Sequence, residues 1–276
     1  MAGYRVFDIE TVVDHRFWSP GQRQYVEVPA TGLEGALLQK VDGNGQVIQE
    51  TEWMEKEPFP PPQAHRVVAI SCVELSADDN EWYKLTKATT GCVWNSKDVV
   101  EADLLEKNLL EHFGMVQEAD EAILVTWNGR TFDLPVINMR SFLHCVPCPW
   151  YYKERDTRYR YSESGHCDLM DVFSDYGAAR SMKLGDVAKL MGLPGKVGPV
   201  TGANVGQIYA KRTDLVDDMS AVAGYCLGDS LQTALLFAKS RVHKGMIDID
   251  YYNRVVLPSF MPELDRVLGV KESDLR

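Results

Sequence analysis

A chain of 276 residues, 45% hydrophobic and 25% charged, has the makeup of an ordinary folded protein and not of a disordered one. Its net charge of −11 argues against broad electrostatic attraction to nucleic acid or to anionic membrane. No apolar run approaches the roughly 20 residues that span a bilayer, and the opening MAGYRVFDIET lacks the basic and apolar stretches of a secretory signal.

These features predict a cytoplasmic protein whose six cysteines are reduced thiols. A small nucleic-acid site remains compatible with the acidic charge, because bound divalent cations would set the local potential.

In chain order, YRVFDIET (4–11) reads as a short apolar strand ending near Glu10. Residues 14–64 read as an insertion rich in Gly, Pro and charge, with one hairpin expected around VDGNGQV and a stiff connector at PFPPPQ. HRVVAISCVEL (65–75) is predicted to be a buried strand, with EWYKLTKATT (81–90) as its hairpin partner. Residues 97–118 carry apolar side chains at 99, 100, 104, 105, 109, 110 and 113, the spacing of one helical face, with Ser96 as expected N-cap.

AILVTWNG (122–129) reads as a central strand, and FDLPVINMRSFLH as the helix after it. Residues 146–166 form a loop heavy in Tyr and Arg, and CDLMDVFSDYG enters a further strand or helix. KLGDVAKLMGLPGK is a short helix stopped by Gly192 and Pro194, and residues 214–242 give the longest helical pattern. The sum is an α/β fold with a mixed β-sheet flanked by helices. Residues 1–245 are expected to make one domain carrying the 14–64 insertion, with 246–276 a C-terminal extension packed on it.

Three places gather carboxylates. Asp8 and Glu10 alternate along the predicted strand, so they share one face, where two like charges need a proton or a cation between them. Asp133 opens a helix just past a strand, where the helix dipole favours an anion. Tyr225 and Asp229 stand one turn apart on one helix face. Taken singly, each has a plain structural explanation: a strand end in water, a helix cap, a solvated phenol–carboxylate pair. Together they can converge at the carboxyl ends of central strands, where two divalent ions about 3.5–4 Å apart could clamp a phosphodiester.

Asp8-Ile-Glu10, Asn128-Gly-Arg-Thr-Phe132-Asp133 and Tyr225-Cys-Leu-Gly-Asp229 resemble the three motifs of the DEDDy 3′-5′ exonucleases of the RNase H-like (DnaQ-like) superfamily. HRVVAIS, LVTWNGRTFDLPV, HCDLMDVFSDYG and KLGDVAKLMGLPGK are similar to bacterial predicted exonucleases related to the proofreading domain of family B DNA polymerases. The resemblance covers residues 4–11 and 65–240. It departs in lacking an acidic residue just before Asp229.

The resemblance implies an RNase H-like fold and hydrolysis of terminal phosphodiesters of single-stranded nucleic acid, releasing nucleoside 5′-monophosphates. DNA is favoured over RNA. It implies two Mg²⁺ or Mn²⁺ ions held by Asp8, Glu10, Asp133 and Asp229, with Tyr225 orienting the attacking water. Thr11, Asn128 and Phe132 would meet the terminal nucleotide, although Phe132 also fits core packing. The competing readings are a ribonuclease of the same fold and a non-catalytic nucleic-acid-binding or assembly subunit. The 14–64 insertion is open to three roles: a lid, a self-association contact or a surface for a protein partner.

Weaker signals stand beside these. The Tyr/Arg run 151–161 suits single-stranded nucleic acid and a solvated loop equally. Cys145, Cys148, His166 and Cys167 have zinc-ligand types at a spacing that fits no standard site. Asp168 and Asp171 are expected to serve structure at a strand-to-helix boundary. GLPGK lacks the full P-loop pattern.

Overall fold

The computed structural model describes residues 3–19, 24–29, 39–43, 46–49, 51–56, 59–78, 80–153, 155–195, 198–211 and 215–275. Its centre is a five-stranded sheet built from β1 (Tyr4–Val13), β6 (His65–Leu75), β7 (Leu85–Cys92), β8 (Ile123–Thr126) and β9 (His166–Asp168), in the order β7-β6-β1-β8-β9. β6 pairs antiparallel with β1 and β7, whereas β1–β8 and β8–β9 are parallel. This is the mixed sheet of an RNase H-like fold.

The 14–64 segment holds two antiparallel pairs: β2 (Gln24–Pro29) with β5 (Thr51–Lys56), and β3 (Gln39–Val41) with β4 (Val47–Gln49). The second is the expected VDGNGQV hairpin, closed by the Asp42 N–H donating to the Gln46 carbonyl at 2.9 Å. Its Asn44-Gly45 lies outside the described residues. The β2–β5 pair was not anticipated from sequence.

The helices are α1 (Val99–Asp120), α2 (Asp133–Leu143), α3 (Pro149–Lys153), α4 (Arg155–Arg158), α5 (Leu169–Phe173), α6 (Leu184–Lys189), α7 (Val205–Ala210) and α8 (Leu215–His243). After them α9 (Ile249–Tyr251), a π-helical turn (Tyr252–Val256) and α10 (Leu257–Leu268) run almost continuously. α10 packs on α8, with Phe260 and Leu264 joining the core that holds Leu231 and Leu235.

β1 shows why its sequence makes a site. Phe7 and Ile9 point to the α1/α2 side, packing with Leu110, Phe113, Leu134 and Ile137. Val6 and Val12 point to the opposite face, toward α8. The two-residue period then puts Asp8 and Glu10 on the α8 face as well. Burying Phe7 and Ile9 contributes roughly 1.5–3 kcal/mol each, and slipping the register by one residue would instead turn the carboxylates into the apolar α1/α2 layer.

Several boundaries differ from the sequence reading. β1 does not stop near Glu10: it passes a bulge between Glu10 and Thr11 and pairs with β6 to Val13. β7 starts at Leu85, because residues 81–84 turn back onto Ser76 through backbone bonds. β8 ends at Thr126, and the 146–166 loop contains the short helices α3 and α4.

α1 is capped by Asp98, whose side chain accepts from Val100 N, while Ser96 instead donates to Glu101. Its buried face is Ala102, Glu106, Leu110, Phe113, Gly114 and Gln117, and Val99, Val100 and Leu104 are exposed. A glutamate holds a core position there because other segments satisfy it. Arg140 Nε and the Val67 backbone N–H donate to Glu106 Oε1 at 2.8 Å each, and His144 Nε2 contacts Oε2 at 2.8 Å.

Candidate active site

The site forms where α8 crosses β1. Potential ligand atoms of Asp8, Glu10 and Cys226 all lie within 4.8 Å of one another. Asp8 and Asp229 are half-buried, and Glu10, Tyr225 and Asp133 are buried. α8 is held to the sheet at this level by Ser71 of β6, whose hydroxyl contacts the Cys226 carbonyl at 2.9 Å and Ser230 Oγ at 2.7 Å.

Asp133 enters from the other side of β1. It heads α2, and its Oδ1 accepts the Ile9 backbone N–H at 3.2 Å, between Asp8 and Glu10 in sequence. The two motifs are thus joined through backbone, which no spacing rule shows. Asp133 and Asp229 stand outside the closest trio but within its electrostatic reach.

The charges report the crowding. Burial, then the negative charges of Asp133, Glu10 and Asp229, push the Asp8 carboxyl well above the ordinary carboxylate range. Burial, aided by Asp168, pushes Asp133 up to about 7 against the opposing bond from Ile9. Burial, with Asp229, Glu10 and Asp8 around it, also raises Tyr225 above the usual phenol value, so it stays protonated at neutral pH. Three further carboxylates within electrostatic reach of Asp8 are a poor arrangement without a cation. Their oxygens suit hard ions such as Mg²⁺ and Mn²⁺.

Cys226 is the residue that sequence reasoning missed here. It is a soft donor in a hard site, and burial beside Asp8 and Glu10 raises its thiol well above the normal value. Its S–H points to the Asp8 carbonyl at 3.4 Å, with Ser71 Oγ at 3.2 Å, so it braces the backbone of β1 against α8. Its position directly after Tyr225 is the only sequence signal for this.

The loop that delivers Asp133 is held from beneath by Asp168. One Asp168 oxygen accepts from Asn128 N at 2.8 Å and Met170 N at 3.1 Å, the other from Arg130 N at 2.9 Å. This is the boundary role expected for Asp168, extended to the neighbouring loop. Asp171 receives Arg160 at 2.6 Å. Asn128 has left-handed backbone (φ 67°), and its Oδ1 accepts from the Thr131 hydroxyl. The structure therefore engages the Asn128 side chain within the turn.

Gly129 sits so close to β8 that a Cβ there would meet Thr126 at 2.5 Å. Gly129→Ala is expected to cost about 1–3 kcal/mol by overpacking. It should lower the melting temperature by several degrees, which thermal unfolding would detect.

Thr11 and Phe132 border a cleft of about 360 Å³ that also includes Glu10, His65 and Phe59. The Tyr/Arg run is exposed at Tyr152, Tyr159 and Tyr161, with Arg158 over the Tyr152 ring at 5.2 Å. The residues of zinc-ligand type go separate ways: Cys145 is exposed, His166 contacts Thr126 Oγ1 at 2.8 Å, and Arg241 approaches Cys167 Sγ at 3.5 Å. Among the described residues, no helix is long and apolar enough to cross a membrane.

A family model described as a predicted 3′-5′ exonuclease related to the exonuclease domain of PolB matches residues 57–260. That span carries Asp133, Tyr225 and Asp229 and begins after β1. No curated protein gives a significant match. Among solved structures, the family B DNA polymerase from the hyperthermophilic archaeon Pyrobaculum calidifontis is similar at 14% identity and a TM-score of 0.47, over 80% of this chain and 29% of that chain. With nearly three quarters of its length inside the matched span, the chain belongs to the family of predicted 3′-5′ exonucleases related to the exonuclease domain of PolB.

Proposed function

We propose that the protein is a metal-dependent 3′-5′ exonuclease that removes nucleoside 5′-monophosphates from single-stranded ends, DNA in preference to RNA. One observation carries this reading: the two-residue period of β1 sets Asp8 and Glu10 on the face where α8 presents Tyr225, Cys226 and Asp229. Asp133, bonded to Ile9 N at 3.2 Å, completes the acidic set.

Asp8, Glu10, Asp133 and Asp229 would hold two Mg²⁺ or Mn²⁺ ions, whose Lewis acidity favours in-line attack of water on the last phosphodiester. The protein's own groups do the rest. Tyr225 keeps its proton, so it orients water by hydrogen bonding and does not act as the base. Thr11 offers a hydroxyl beside Glu10, and Phe132 an apolar edge for the terminal nucleotide. Tyr225→Phe is expected to lower turnover by roughly 10²-fold, within the range for loss of one polar group acting in the transition state. It should leave the shape of the pH–rate profile unchanged, because the lost group does not titrate in the working range.

The direct test is digestion of 5′-labelled single-stranded DNA and RNA with Mg²⁺, Mn²⁺ or EDTA. A metal-dependent ladder shortening from the 3′ end supports the assignment and ranks the two polymers. Intact substrate in every lane, with binding retained, would replace it with the non-catalytic reading.

A further inference from the structure

His65 makes two side-chain contacts that link segments far apart in sequence. Its Nε2 lies 3.0 Å from the Pro60 carbonyl, and its Nδ1 lies 2.9 Å from Thr11 Oγ1. A carbonyl can only accept, so Nε2 carries the proton and the Nδ1 lone pair accepts the Thr11 hydroxyl proton. Burial and the nearby Arg140 charge keep this imidazole below its ordinary pKa, in keeping with the neutral tautomer. The Thr11 hydroxyl is thereby turned in one direction, with its oxygen lone pairs left for another donor.

The same ring anchors an aromatic cluster. Phe59, His65 and Phe132 have centroids 5.0 Å (Phe59–His65), 5.8 Å (Phe59–Phe132) and 5.0 Å (His65–Phe132) apart. Phe59 is 74% exposed although it belongs to this cluster, so one face of an aromatic wall is open. That wall borders the cleft of about 360 Å³ that reaches Glu10 and Thr11. The volume falls within the roughly 300–1,000 Å³ of small-ligand clefts.

We propose that His65 is a positioning residue that ties the Phe59–Pro60 connector to Thr11, making Phe59 the outer wall of a subsite for one unpaired 3′-terminal nucleobase. The inference rests on the exonuclease reading and adds two residues to it. Its occupant follows from chemistry: an aromatic face open beside an acidic, cation-suited centre accepts a flat base next to a phosphodiester. A paired base has its faces occupied by its neighbours and cannot enter without leaving the stack. The connector at the end of the 14–64 segment thus becomes part of substrate selection.

The test measures binding to the full chain in Ca²⁺, using single-stranded oligonucleotides that end in 2-aminopurine or in an abasic nucleotide. Wild type should bind the base-bearing end about tenfold more tightly, with fluorescence quenched by stacking. Phe59→Ala should bring that preference close to onefold. His65→Asn keeps an acceptor near the Nδ1 position, and His65→Gln keeps a donor near the Nε2 position. The Asn variant, without the tie to Pro60, should therefore lose the base preference, whereas the Gln variant, which keeps that tie, should retain it.

No base preference in wild type, an unchanged preference in Phe59→Ala, or the same preference in both His65 variants would overturn the subsite while leaving the nuclease intact. Wild type that neither binds nor shortens any 3′ end would overturn the nuclease reading itself.

Discussion

Asp8→Asn is expected to reduce 3′-end digestion by roughly 10³-fold or more while raising the melting temperature of the metal-free protein. The loss follows from the place of Asp8 at the centre of the acidic set that would hold the ions, since residues acting as one unit lose most of their effect when any member goes. The gain in stability has the same origin. Folding brings Asp8 out of water and next to Asp133, Glu10 and Asp229, so its carboxyl is pushed well above the ordinary range.

A carboxyl raised in the folded state favours the protonated form there. Stability from this group is present at low pH and declines as pH rises from about 4, the unfolded value, toward the raised folded value. Asp133, raised to about 7, adds to the same decline. Metal-free wild type should therefore lose stability between about pH 4 and 7 through this cluster, and Asp8→Asn should flatten that slope.

Saturating Mg²⁺ or Mn²⁺ should reverse the order. An ion at about 100 times its Kd stabilises the folded state by about 2.7 kcal/mol, which for a chain of this size shifts the melting temperature by several degrees. Thermal unfolding of wild type and Asp8→Asn, with and without the ion, gives four values. Equal shifts in the two proteins would show that the ion binds elsewhere.

The parts of the site that were legible in sequence are those set by a local period. Asp8 with Glu10 follows from alternation along a strand, and Tyr225 with Asp229 from one helical turn. Asp133 was legible as a helix opener, but its bond to Ile9 N joins positions 124 residues apart and leaves no local trace. Cys226 and His65 were invisible for the same reason: Asp8 and Ser71, the partners of the first, and Thr11, a partner of the second, come from elsewhere in the fold.

α1 shows the reverse failure. Its apolar residues suggested a face through Val99, Val100 and Leu104, yet these are 50%, 74% and 54% exposed. The buried row instead includes Glu106 and Gln117, because Arg140, His144, Val67 N and Arg5 reach them from β1, β6 and α2. Periodicity reads the price of exposing apolar groups, and it is blind to polar groups that find partners only after folding.

Glu106→Ala is the substitution expected to cost the most stability, about 3–5 kcal/mol, because it leaves the fully buried Arg140 without its main counter-ion. Arg140 also donates to Asp14 Oδ2 at 3.2 Å and to the Gln63 carbonyl at 3.0 Å. Asp14 follows β1, and Gln63 belongs to the short turn that leads into His65. The network therefore fixes two of the chain segments that border the Thr11 cleft, and its loss should weaken binding of 3′ ends along with the fold.

The pH dependence here runs opposite to that of the metal-free acidic cluster. Burial pushes Glu106 up, but bonds from His144, Arg140 and Val67 N overcome it and hold the carboxyl below its ordinary value. Asp14 is likewise held well below the carboxylate range, with Arg16 and Arg140 overcoming its burial. A depressed carboxyl contributes stability above its unfolded value and loses it as pH falls through the folded one. Urea unfolding of wild type and Glu106→Ala should accordingly differ most near pH 7, and the gap should shrink below about pH 4. A gap that stays constant to low pH would mean that packing volume, and not the Glu106 charge, accounts for the loss.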